Sequence, residues 1–471
     1  MKELKEIVSF CKYLNQSEIR YCHWKSNNLL RKSLNGSNDL DLLISKKDIS
    51  KFRVVMFNRG YKFLRGKGRL DIPGIEDFFG LDLETGKIFH IHAHYQLVVG
   101  HDSVKNIRLP VEDCYIQSST FKNGSVLPTP AIEMEFIVFV IRMCLKFTIL
   151  GYIIGNRELK GSALNEFKDL KGAVNNEHLD ITLKEKFPFI DKRRFNICLD
   201  SLKEKKSILL KYQAYTKIKK DLYCMNRYSR LYEILMRLRL RLTMFSHRMS
   251  TERVVLSGGS LVAIIGGDGS GKSTLIRSLS EWIDPYFFTK KMHFGKPKRR
   301  ISSRTFNLFL KFFYILGMEK LKEGDNGCFT MLNNVLYTRD RFYAYKKMIN
   351  LSTNGAIVLS DRYNLSGLKT MDGSSFDVKG GHENSLLTSF FSNIEKYYLS
   401  KIVGPELAIY LEVDVEEAVK RKTDEESHYV RIRNTEIKGS KWVKSFAVTI
   451  DANQSAECVL KESKLLLWNQ I

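Results

Sequence analysis

The sequence GGDGSGKST, residues 266–274, constrains the fold of this chain more than any other stretch. It follows the apolar run LVAII, residues 261–265, and it precedes the helical spacing of Leu275, Ile276 and Leu279. A short strand, a glycine-rich turn and a helix in this order are typical of a phosphate-binding loop. Glycines let the backbone turn tightly and point successive amides at an anion, beside the positive end of the helix. The motif therefore predicts an α/β domain that binds a nucleotide.

The residue types within this loop predict individual roles. Lys272 is predicted to reach the β- and γ-phosphates of ATP, and the Ser273 hydroxyl is predicted to ligate Mg²⁺. The alternative is a glycine-rich turn that carries a lysine by accident, and the strand–turn–helix setting disfavours it. The predicted ATP-binding residues are Gly266, Gly269, Ser270, Gly271, Lys272, Ser273 and Thr274.

Length and composition predict two folded domains. The chain has 471 residues, more than a single hydrophobic core usually serves, and 44% of them are hydrophobic. Its 8 cysteines include no closely spaced pair, so they are expected to be reduced thiols that form neither disulfides nor a zinc site. The first residues lack the apolar core of a secretory signal, and the two most apolar stretches, 136–154 and 306–318, contain charges or are too short to span a bilayer. A cytoplasmic location is expected.

The formal net charge of +24 raises nucleic acid or an anionic membrane surface as a partner. Basic residues concentrate at 217–253, where they alternate with leucines and isoleucines, and at 290–304. Two interpretations stay open, namely solvated helix and loop faces, or a surface that attracts polyanions or anionic lipid. No helix-turn-helix, zinc-finger or aromatic RNA-binding motif accompanies the charge, so no sequence-specific nucleic-acid binding is expected. A homodimer is a further possibility for the chain.

The amino-terminal region contains a pair of carboxylates at strand spacing. Asp39 and Asp41 lie on one side of a predicted strand, because side chains alternate along a strand. Carboxylates held so close repel each other unless a cation lies between them, and this predicts Mg²⁺ with a nucleoside triphosphate. The alternative is a strand edge with ordinary surface aspartates.

Lys25-Ser26 at a strand end, followed by Ser-x-Asp-x-Asp at residues 37–41, resembles the nucleotidyltransferase superfamily. The resemblance covers about the first hundred residues, and it implies a small-residue turn that grips the triphosphate and paired aspartates that bind metal. Lys25 stands where that superfamily usually has glycine. The strand FHIHAH, residues 89–94, stands where a third carboxylate is expected, and Asp82 is an alternative for that carboxylate. His90, His92 and His94 share one face of this strand, either as a catalytic or metal site or as a polar sheet face.

Downstream of residue 128 the pattern is helical to about residue 206, which predicts a helical subdomain. A basic helical linker is predicted at 216–256, and SGGS at 257–260 then breaks the helix. The predicted organisation is a nucleotidyltransferase-like α+β domain with a helical subdomain at 1–215, the linker, and a three-layer α/β domain with a parallel sheet at 257–471. In this last domain AIVLSDRY, residues 356–363, predicts a buried parallel strand that ends in Asp361, with Arg362 at the ligand-binding edge.

The motifs from residue 258 onward resemble the thymidylate kinase family. They are the phosphate-binding loop, Arg341 in a helix, SDRY at 360–363, PELAIYLEV followed by EEAVKRK at 405–422, and TIDA at 449–452. The resemblance implies that Asp268 faces the acceptor sugar, Arg341 contacts the acceptor base, and Asp361 and Arg362 hold the acceptor and its phosphate. It also implies a lid over ATP that carries the arginines of this region. These are Arg421, Arg431 and Arg433.

The chain also departs from this family. The segment Arg-Glu-Pro-Gly-Gly, which positions the acceptor nucleotide in the family, is replaced by HFGKP at 293–297, and the lid lacks the usual arginine–tyrosine ending. The expected activity is ATP- and Mg²⁺-dependent phosphoryl transfer to a small acceptor, with a second nucleotidyltransferase activity possible. The expected catalytic residues are Lys272, Asp361, Arg362 and Arg433. A thymidylate kinase-like domain fused to a transferase-like domain resembles proteins of bacterial surface-polysaccharide gene clusters. This resemblance leaves two alternatives, namely a nucleotide-binding regulatory or assembly protein of such a pathway without turnover, and a kinase of a non-nucleotide, sugar-linked acceptor.

Overall fold

The structure is a computed structural model of the chain. It describes residues 2–66, 72–101, 104–122, 124–153, 158–204, 206–245, 253–295, 297–315, 328–363, 386–423 and 425–471. The chain divides into two compact units, Met1–Ser250 and Thr251–Ile471. Each unit is described by itself.

The first unit begins with strands and short helices and continues with helices alone. Its strands are β1 (Tyr21–His23), β2 (Leu40–Ile44), β3 (Lys62–Gly66), β4 (Ile75–Asp82), β5 (Lys87–His94), β6 (Leu97–Val99), β7 (Ile107–Leu109), β8 (Thr120–Phe121) and β9 (Pro128–Thr129). Its helices are α1 (Lys5–Gln16), α2 (Leu30–Leu34), α3 (Ile49–Asn58), α4 (Glu112–Gln117), α5 (Ile132–Leu145), α6 (Ile149–Ile153), α7 (Gly161–Ala173), α8 (Asn176–Lys186), α9 (Lys192–Ser201), α10 (Ile208–Asp221) and α11 (Arg230–Phe245).

Five strands of this unit form a mixed sheet in the order β1-β2-β5-β4-β3. Strand β2 pairs parallel to β5, and the other pairs are antiparallel. The register places Asp41 of β2 beside His92 of β5, and His92 beside Asp77 of β4. The sheet thus brings the predicted aspartates and the histidine-bearing strand together.

The helical part of the unit surrounds α5, whose residues 134–141 are all buried. Helices α7, α8, α9 and α10 pack against it. A helix that is apolar all round is stable only where neighbours cover every face, and this explains why the apolar stretch that begins at 136 forms a core helix up to Leu145. Its continuation in α6 has no buried residue. The region predicted as a helical subdomain contains the helices α5 to α9.

The segment predicted as one basic helix is interrupted between α10 and α11. The backbone amide of Arg227 donates to the Asn106 carbonyl (2.8 Å), and the amide of Tyr228 donates to the Asn106 side-chain oxygen (2.8 Å). Ile218 and Leu222 of this segment lie in the core around α5. Helical periodicity cannot reveal a distant asparagine that captures two backbone amides, so the break was not predicted. The two units divide at Ser250, within the segment 216–256.

The second unit alternates strands and helices. Its strands are β10 (Arg253–Val255), β11 (Ser260–Gly266), β12 (Thr289–His293), β13 (Ile357–Asp361), β14 (Leu407–Glu412) and β15 (Ala447–Asp451). Its helices are α12 (Lys272–Ile283), α13 (Ile301–Ile315), α14 (Cys328–Thr353), α15 (Leu386–Ser400), α16 (Val415–Arg421), α17 (Ser427–Gly439), α18 (Lys441–Phe446) and α19 (Ala456–Gln470).

Strands β12-β13-β11-β14-β15 form a parallel sheet in that order. Every residue of the central strand β11 is buried, so both faces of the sheet are covered, as in a three-layer α/β fold. One face packs on Met348 of α14, and α12 packs against β11 and α19. After β11 the chain forms β12 and β13 on one side of that strand, and it then forms β14 and β15 on the other side. In such sheets ligands bind at the carboxyl end of the strand where the order reverses, which is β11.

Among the helices that the structure describes, none has the length and apolar character needed to cross a bilayer. The stretch at 306–318 lies in α13 up to Ile315, and its last three residues are outside the described part of the chain.

Candidate functional site

The loop from β11 to α12 has the geometry of a phosphate-binding loop. Gly269 and Gly271 have φ values of 80° and 90°, a region that favours glycine. A Cβ atom on Gly267 would lie 1.9 Å from the Asn434 side-chain oxygen, so only glycine fits there. The loop is therefore tightly packed against α17, and its backbone conformation depends on its glycines.

The beginning of α12 offers its amides to a ligand. Gly271 precedes the helix and provides no side-chain cap, so the first amides of a 12-residue helix receive no side-chain hydrogen bond there. The Lys272 ammonium donates to the Gly267 carbonyl across the loop (2.5 Å), and the side chains of Ser273 and Thr274 are exposed. An exposed hydroxyl at this position is available to a metal ion bound with a phosphate.

Two buried polar atoms at this edge of the sheet have no hydrogen-bond partner among the described residues. They are Ser270 Oγ in the loop and Asp361 Oδ1 at the end of β13. Buried polar atoms without partners are rare in folded proteins, and they mark places where a ligand or water binds. Together with the uncapped helix, these atoms show that the residues present fit a nucleotide phosphate and an associated Mg²⁺.

Asp268 joins the loop to two arginines. Arg433 of α17 donates to its Oδ2 (2.6 Å), and Arg362, which follows β13, donates to its Oδ1 (3.3 Å). Burial alone would raise the pKa of Asp268, but the hydrogen bond from Arg433 and the charges of Lys272 and Arg362 outweigh burial and lower that pKa. Asp268 is thus a carboxylate that holds two guanidinium groups beside the phosphate-binding loop.

Arg362 has a φ of 69°, an uncommon backbone conformation for a residue other than glycine, and one that costs roughly 1–3 kcal/mol. Its amide donates to the Ile264 carbonyl (3.2 Å), and its carbonyl accepts from the Ser360 hydroxyl (2.9 Å). The neighbouring strands therefore fix the unusual conformation, and its consequence is that the side chain of Arg362 reaches Asp268.

The structure separates the three arginines that were predicted to form a lid. Only Arg433 contacts the phosphate-binding loop. Arg431 pairs with Glu416, while Arg421 pairs with Glu417 and donates to the Ala452 carbonyl. Of these three arginines, Arg433 is therefore the one that lies at the phosphate-binding loop.

Arg341 lies on α14, where it is 8% exposed, and its guanidinium lies 4.7 Å from the centre of the Tyr337 ring. The Arg299 guanidinium lies 4.9 Å from the same ring. The Tyr337 hydroxyl donates to the Gly295 carbonyl, within the HFGKP segment that departs from the family pattern. Tyr337 and Arg299 were missed by sequence reasoning, and the only available signal was an aromatic residue one helical turn before Arg341.

The amino-terminal aspartates are paired with cationic and imidazole groups. Asp41 Oδ1 lies 2.8 Å from the Lys25 ammonium and 3.0 Å from His92 Nδ1, and Asp39 Oδ1 lies 2.8 Å from His90 Nδ1. Burial would raise the pKa of Asp41, but the Lys25 charge and the His92 hydrogen bond hold that pKa well below its usual range. The predicted Mg²⁺ between Asp39 and Asp41 does not fit these contacts, because the groups beside the two carboxylates are an ammonium and imidazoles, whereas Mg²⁺ prefers oxygen ligands.

The turn after β1, which was predicted to grip a triphosphate, binds a carboxylate instead. The Ser26 amide donates to Glu166 Oε1 (3.1 Å), and its hydroxyl donates to Glu166 Oε2 (3.4 Å). The next amide, that of Asn27, donates to Glu135 Oε1 (3.4 Å). Glu166 and Glu135 thus accept hydrogen bonds from the two amides of this turn.

Asp82 is not the third carboxylate of this centre. It accepts hydrogen bonds from the Glu6 amide (3.0 Å) and from Thr85 in the β4–β5 turn. The register pairs Asp82 with Lys87, five residues from His92, a separation of about 16 Å along a strand. The carboxylate that does reach the histidines is Asp77, which lies 2.7 Å from His90 Nε2 and was not predicted. The sequence gives one indication of this contact, since Asp77 lies on β4, the strand that precedes FHIHAH and pairs with it.

The comparisons with known proteins concern the second unit. The model of the family described as "Thymidylate kinase" matches residues 264–462. A thymidylate kinase of Prochlorococcus marinus (strain AS9601) is 26% identical over 220 residues, which are 45% of this chain and 96% of that protein. The uncharacterized ATP-binding protein YghR of Escherichia coli (strain K12) is 24% identical over 177 residues, covering 35% of this chain and 69% of that protein.

Among solved structures, a thymidylate kinase from Candida albicans is similar at 20% identity with a TM-score of 0.31, covering 45% of this chain and 94% of that one. The family match and the curated relatives support a nucleotide-kinase type of phosphotransferase domain in the carboxy-terminal half. They support ATP as its nucleotide and a small-molecule phosphate acceptor. The region from residue 264 onward is thus thymidylate kinase-like.

Proposed function

We propose that the second unit transfers the γ-phosphoryl group of ATP to a small acceptor of the nucleoside monophosphate class. The main support for this proposal is the pair of contacts made by Asp268, which links the phosphate-binding loop to Arg362 and Arg433. Three separate parts of the sequence thus supply a positively charged site at the carboxyl end of β11. Phosphoryl transfer needs positioning and neutralisation of charge more than it needs covalent chemistry by the protein.

The residues of the loop then have distinct roles in this proposal. The Lys272 ammonium leaves the Gly267 carbonyl and binds phosphate oxygens, and the uncapped amides of α12 bind further oxygens. A bound Mg²⁺ neutralises phosphate charge, with Ser273 and Asp361 as the residues that would hold it. Arg433 and Arg362 stabilise charge that develops on the transferring group.

Arg341 and the neighbouring Tyr337 support an acceptor with a planar ring. A guanidinium held near an aromatic ring is a flat, cationic surface against which a base can stack. The HFGKP segment contacts this pair through the hydrogen bond between Tyr337 and Gly295. Because this segment differs from the family's acceptor segment, we propose nucleoside monophosphates as the class and do not single out thymidine monophosphate.

An acceptor screen tests the proposal. The full chain is incubated with ATP and Mg²⁺ and with a panel of nucleoside monophosphates, nucleosides, sugars and sugar phosphates, and ADP release is measured. We expect release with one or more nucleoside monophosphates and a loss of at least about 10²-fold in kcat in Lys272→Ala. Wild-type turnover in this variant would exclude the loop as the catalytic centre.

Two other outcomes of the same screen would replace the proposal. Tight ATP binding without ADP release across the whole panel favours a nucleotide-binding regulatory protein. Release with sugar phosphates alone favours a kinase of a sugar-linked acceptor. The screen therefore separates the three functions that the sequence left open.

For the first unit we propose a relative of the nucleotidyltransferases that does not transfer nucleotides. Glu166 at the Ser26 amide and Lys25 at Asp41 support this proposal, because they lie where a triphosphate and its Mg²⁺ were predicted. We expect no Mg²⁺-dependent incorporation of labelled nucleotide from any of the four ribonucleoside triphosphates, and no change on substituting Asp41→Asn. Incorporation by the wild type that Asp41→Asn abolishes would show an active transferase.

A further inference from the structure

The amino-terminal sheet contains a cluster of metal-ligating side chains that neither the phosphate-binding loop nor nucleotidyl transfer explains. Asp41, His92 and His94 each offer one ligand atom, and these atoms lie within 4.8 Å of one another. In the part of the chain that the structure describes, this is the one group of three or more such side chains that is so arranged. We propose that this cluster binds a transition-metal dication of the Zn²⁺ type.

The sheet itself assembles the three ligands. His92 and His94 lie two residues apart on β5, so their side chains project from the same face. Asp41 lies beside His92 in the register of the adjacent parallel strand β2. Asp41 and His94 are 4% and 0% exposed, so two of the three ligands are fixed in the interior of the unit.

The contacts within the cluster favour a cation over hydrogen bonds alone. His92 Nδ1 lies 3.0 Å from Asp41 Oδ1 and 3.3 Å from His94 Nε2. A ring nitrogen carries at most one proton, so it cannot satisfy both neighbours by donation. Ligand atoms around a tetrahedral Zn²⁺ are separated by about 3.3 Å, since each lies about 2.0 Å from the metal. Two of the three separations are thus close to those around Zn²⁺, and the ligand atoms of the third pair, Asp41 and His94, lie within 4.8 Å and would have to approach each other to share a metal ion.

The surroundings of the cluster add negative charge and restrict one imidazole. His92 Nε2 lies 3.9 Å from Asp77 Oδ1, beyond hydrogen-bond distance, and that oxygen lies 2.7 Å from His90 Nε2. Asp77 thus adds a negative charge near His92, and negative charge nearby favours a bound dication. The Trp24 ring packs edge-to-face on His94, with centroids 4.8 Å apart, which restricts the imidazole. Two imidazoles and one carboxylate suit Zn²⁺ and related dications, whereas Mg²⁺ prefers oxygen ligands and water.

Lys25 competes with the metal for Asp41. Its ammonium lies 2.8 Å from Asp41 Oδ1, the oxygen that also faces His92. Metal binding therefore requires the ammonium to move from this oxygen, and the remaining positive charge repels a dication. Removing the charge with Lys25→Met is expected to strengthen metal binding, a gain that a damaged fold cannot produce.

The experiment uses the full chain freed of metal by a chelator, with the exposed Cys224 and Cys458 replaced by serine in every variant. Zn²⁺ uptake is measured by calorimetry and elemental analysis, and Co²⁺ is used for absorption spectra. We expect about one equivalent of Zn²⁺, weakened at least about tenfold by His92→Gln and by His94→Gln and strengthened by Lys25→Met. His178→Gln, on the exposed surface of α8, is the matched control and should change nothing.

The Co²⁺ spectrum identifies the ligands. We expect bands of a nitrogen- and oxygen-coordinated ion without thiolate charge transfer, and we expect them to disappear in His92→Gln. Absence of uptake, or uptake that neither histidine variant weakens, would overturn the proposal. If His94→Gln fails to fold, His92→Gln and Lys25→Met still decide, because their expected effects on affinity are opposite.

Discussion

Arg433 and Arg431 lie two residues apart on α17 but have different partners. Arg433 binds Asp268 in the phosphate-binding loop, and Arg431 binds Glu416 at the surface. We expect Arg433→Ala to lower kcat by about 10²-fold or more, because a guanidinium that stabilises charge in the transition state contributes that much or more. Steady-state kinetics on the acceptor found by the screen measure the loss. Arg431→Ala is the matched control, and an equal loss in both variants would show a general effect of the helix.

Gly267 is predicted to tolerate no side chain. A Cβ atom there would lie 1.9 Å from the Asn434 side-chain oxygen, and Asn434 donates in turn to the Asp268 carbonyl (3.1 Å). Gly267→Ala should therefore separate the loop from α17, weaken ATP binding and lower the Tm. Gly404, around which the structure leaves open space, provides the control substitution Gly404→Ala. Calorimetric titration with ATP and Mg²⁺ measures the difference, and equal affinities in the two variants would contradict the packing argument.

At the residue scale, short motifs predict the position of a residue in the fold. Lys272 and Ser273 begin the helix after the glycine-rich loop, and Asp361 ends a strand, as local spacing predicts, while their roles in catalysis stay predictions. Glu166 and Asp77 were not predicted, since each contacts the amino-terminal centre from a distant part of the chain. A single sequence contains no record of such pairings, because the fold creates them.

Helix α5 contains a buried acid whose ionisation opposes folding. Burial raises the pKa of Glu135 to about 7, and the hydrogen bond from Asn27 offsets only part of that effect. A carboxyl with a raised folded pKa binds protons more tightly in the native state, so its contribution to stability is greatest below about pH 4.5 and is lost as pH rises through 7. Glu135→Gln should therefore stabilise the first unit at pH 8, by up to about 3 kcal/mol for a shift of this size.

Denaturant unfolding of wild type and Glu135→Gln at several pH values between 5 and 8 measures this effect. The difference in the free energy of unfolding should grow with pH across that range. Glu185→Gln, at an exposed position on α8, should show no such trend. A pH-independent difference for Glu135→Gln would mean that the acid is ionised throughout.

At the scale of elements, strands were predicted better than long helices. The central strands β11 and β13 end where an apolar run meets a glycine-rich or polar segment, at Gly266 and Asp361, so the local sequence is enough to predict these ends. The basic helical linker predicted at 216–256 breaks because Asn106, more than a hundred residues away, accepts hydrogen bonds from the backbone amides of Arg227 and Tyr228. Periodicity measures what a helix can bury, and it does not show where a distant side chain interrupts the helix.

For the whole molecule, the net charge of +24 predicts an attraction to polyanions that depends on salt. Helix α11 concentrates exposed basic and apolar side chains, among them Arg230, Leu231 and Leu235. Two interpretations make different predictions. If the net charge of the whole chain causes the attraction, removing any two positive charges weakens binding by the same amount. If α11 is the contact surface, removing charges from that helix weakens binding and removing charges elsewhere does not.

Binding of the full chain to two duplex DNAs of unrelated sequence, measured from low to high salt, distinguishes these interpretations. We expect equal affinities for both sequences, because no base-reading motif accompanies the charge, and a steep fall with salt from counterion release. Replacing exposed Arg230 and Arg239 of α11 by glutamine should lower the slope of log affinity against log salt by about 2. Replacing exposed Lys184 and Lys186 of α8 removes the same charge elsewhere and should leave the slope nearly unchanged. An equal effect of both double substitutions would assign the attraction to net charge alone, and affinity that persists at high salt would contradict an electrostatic origin.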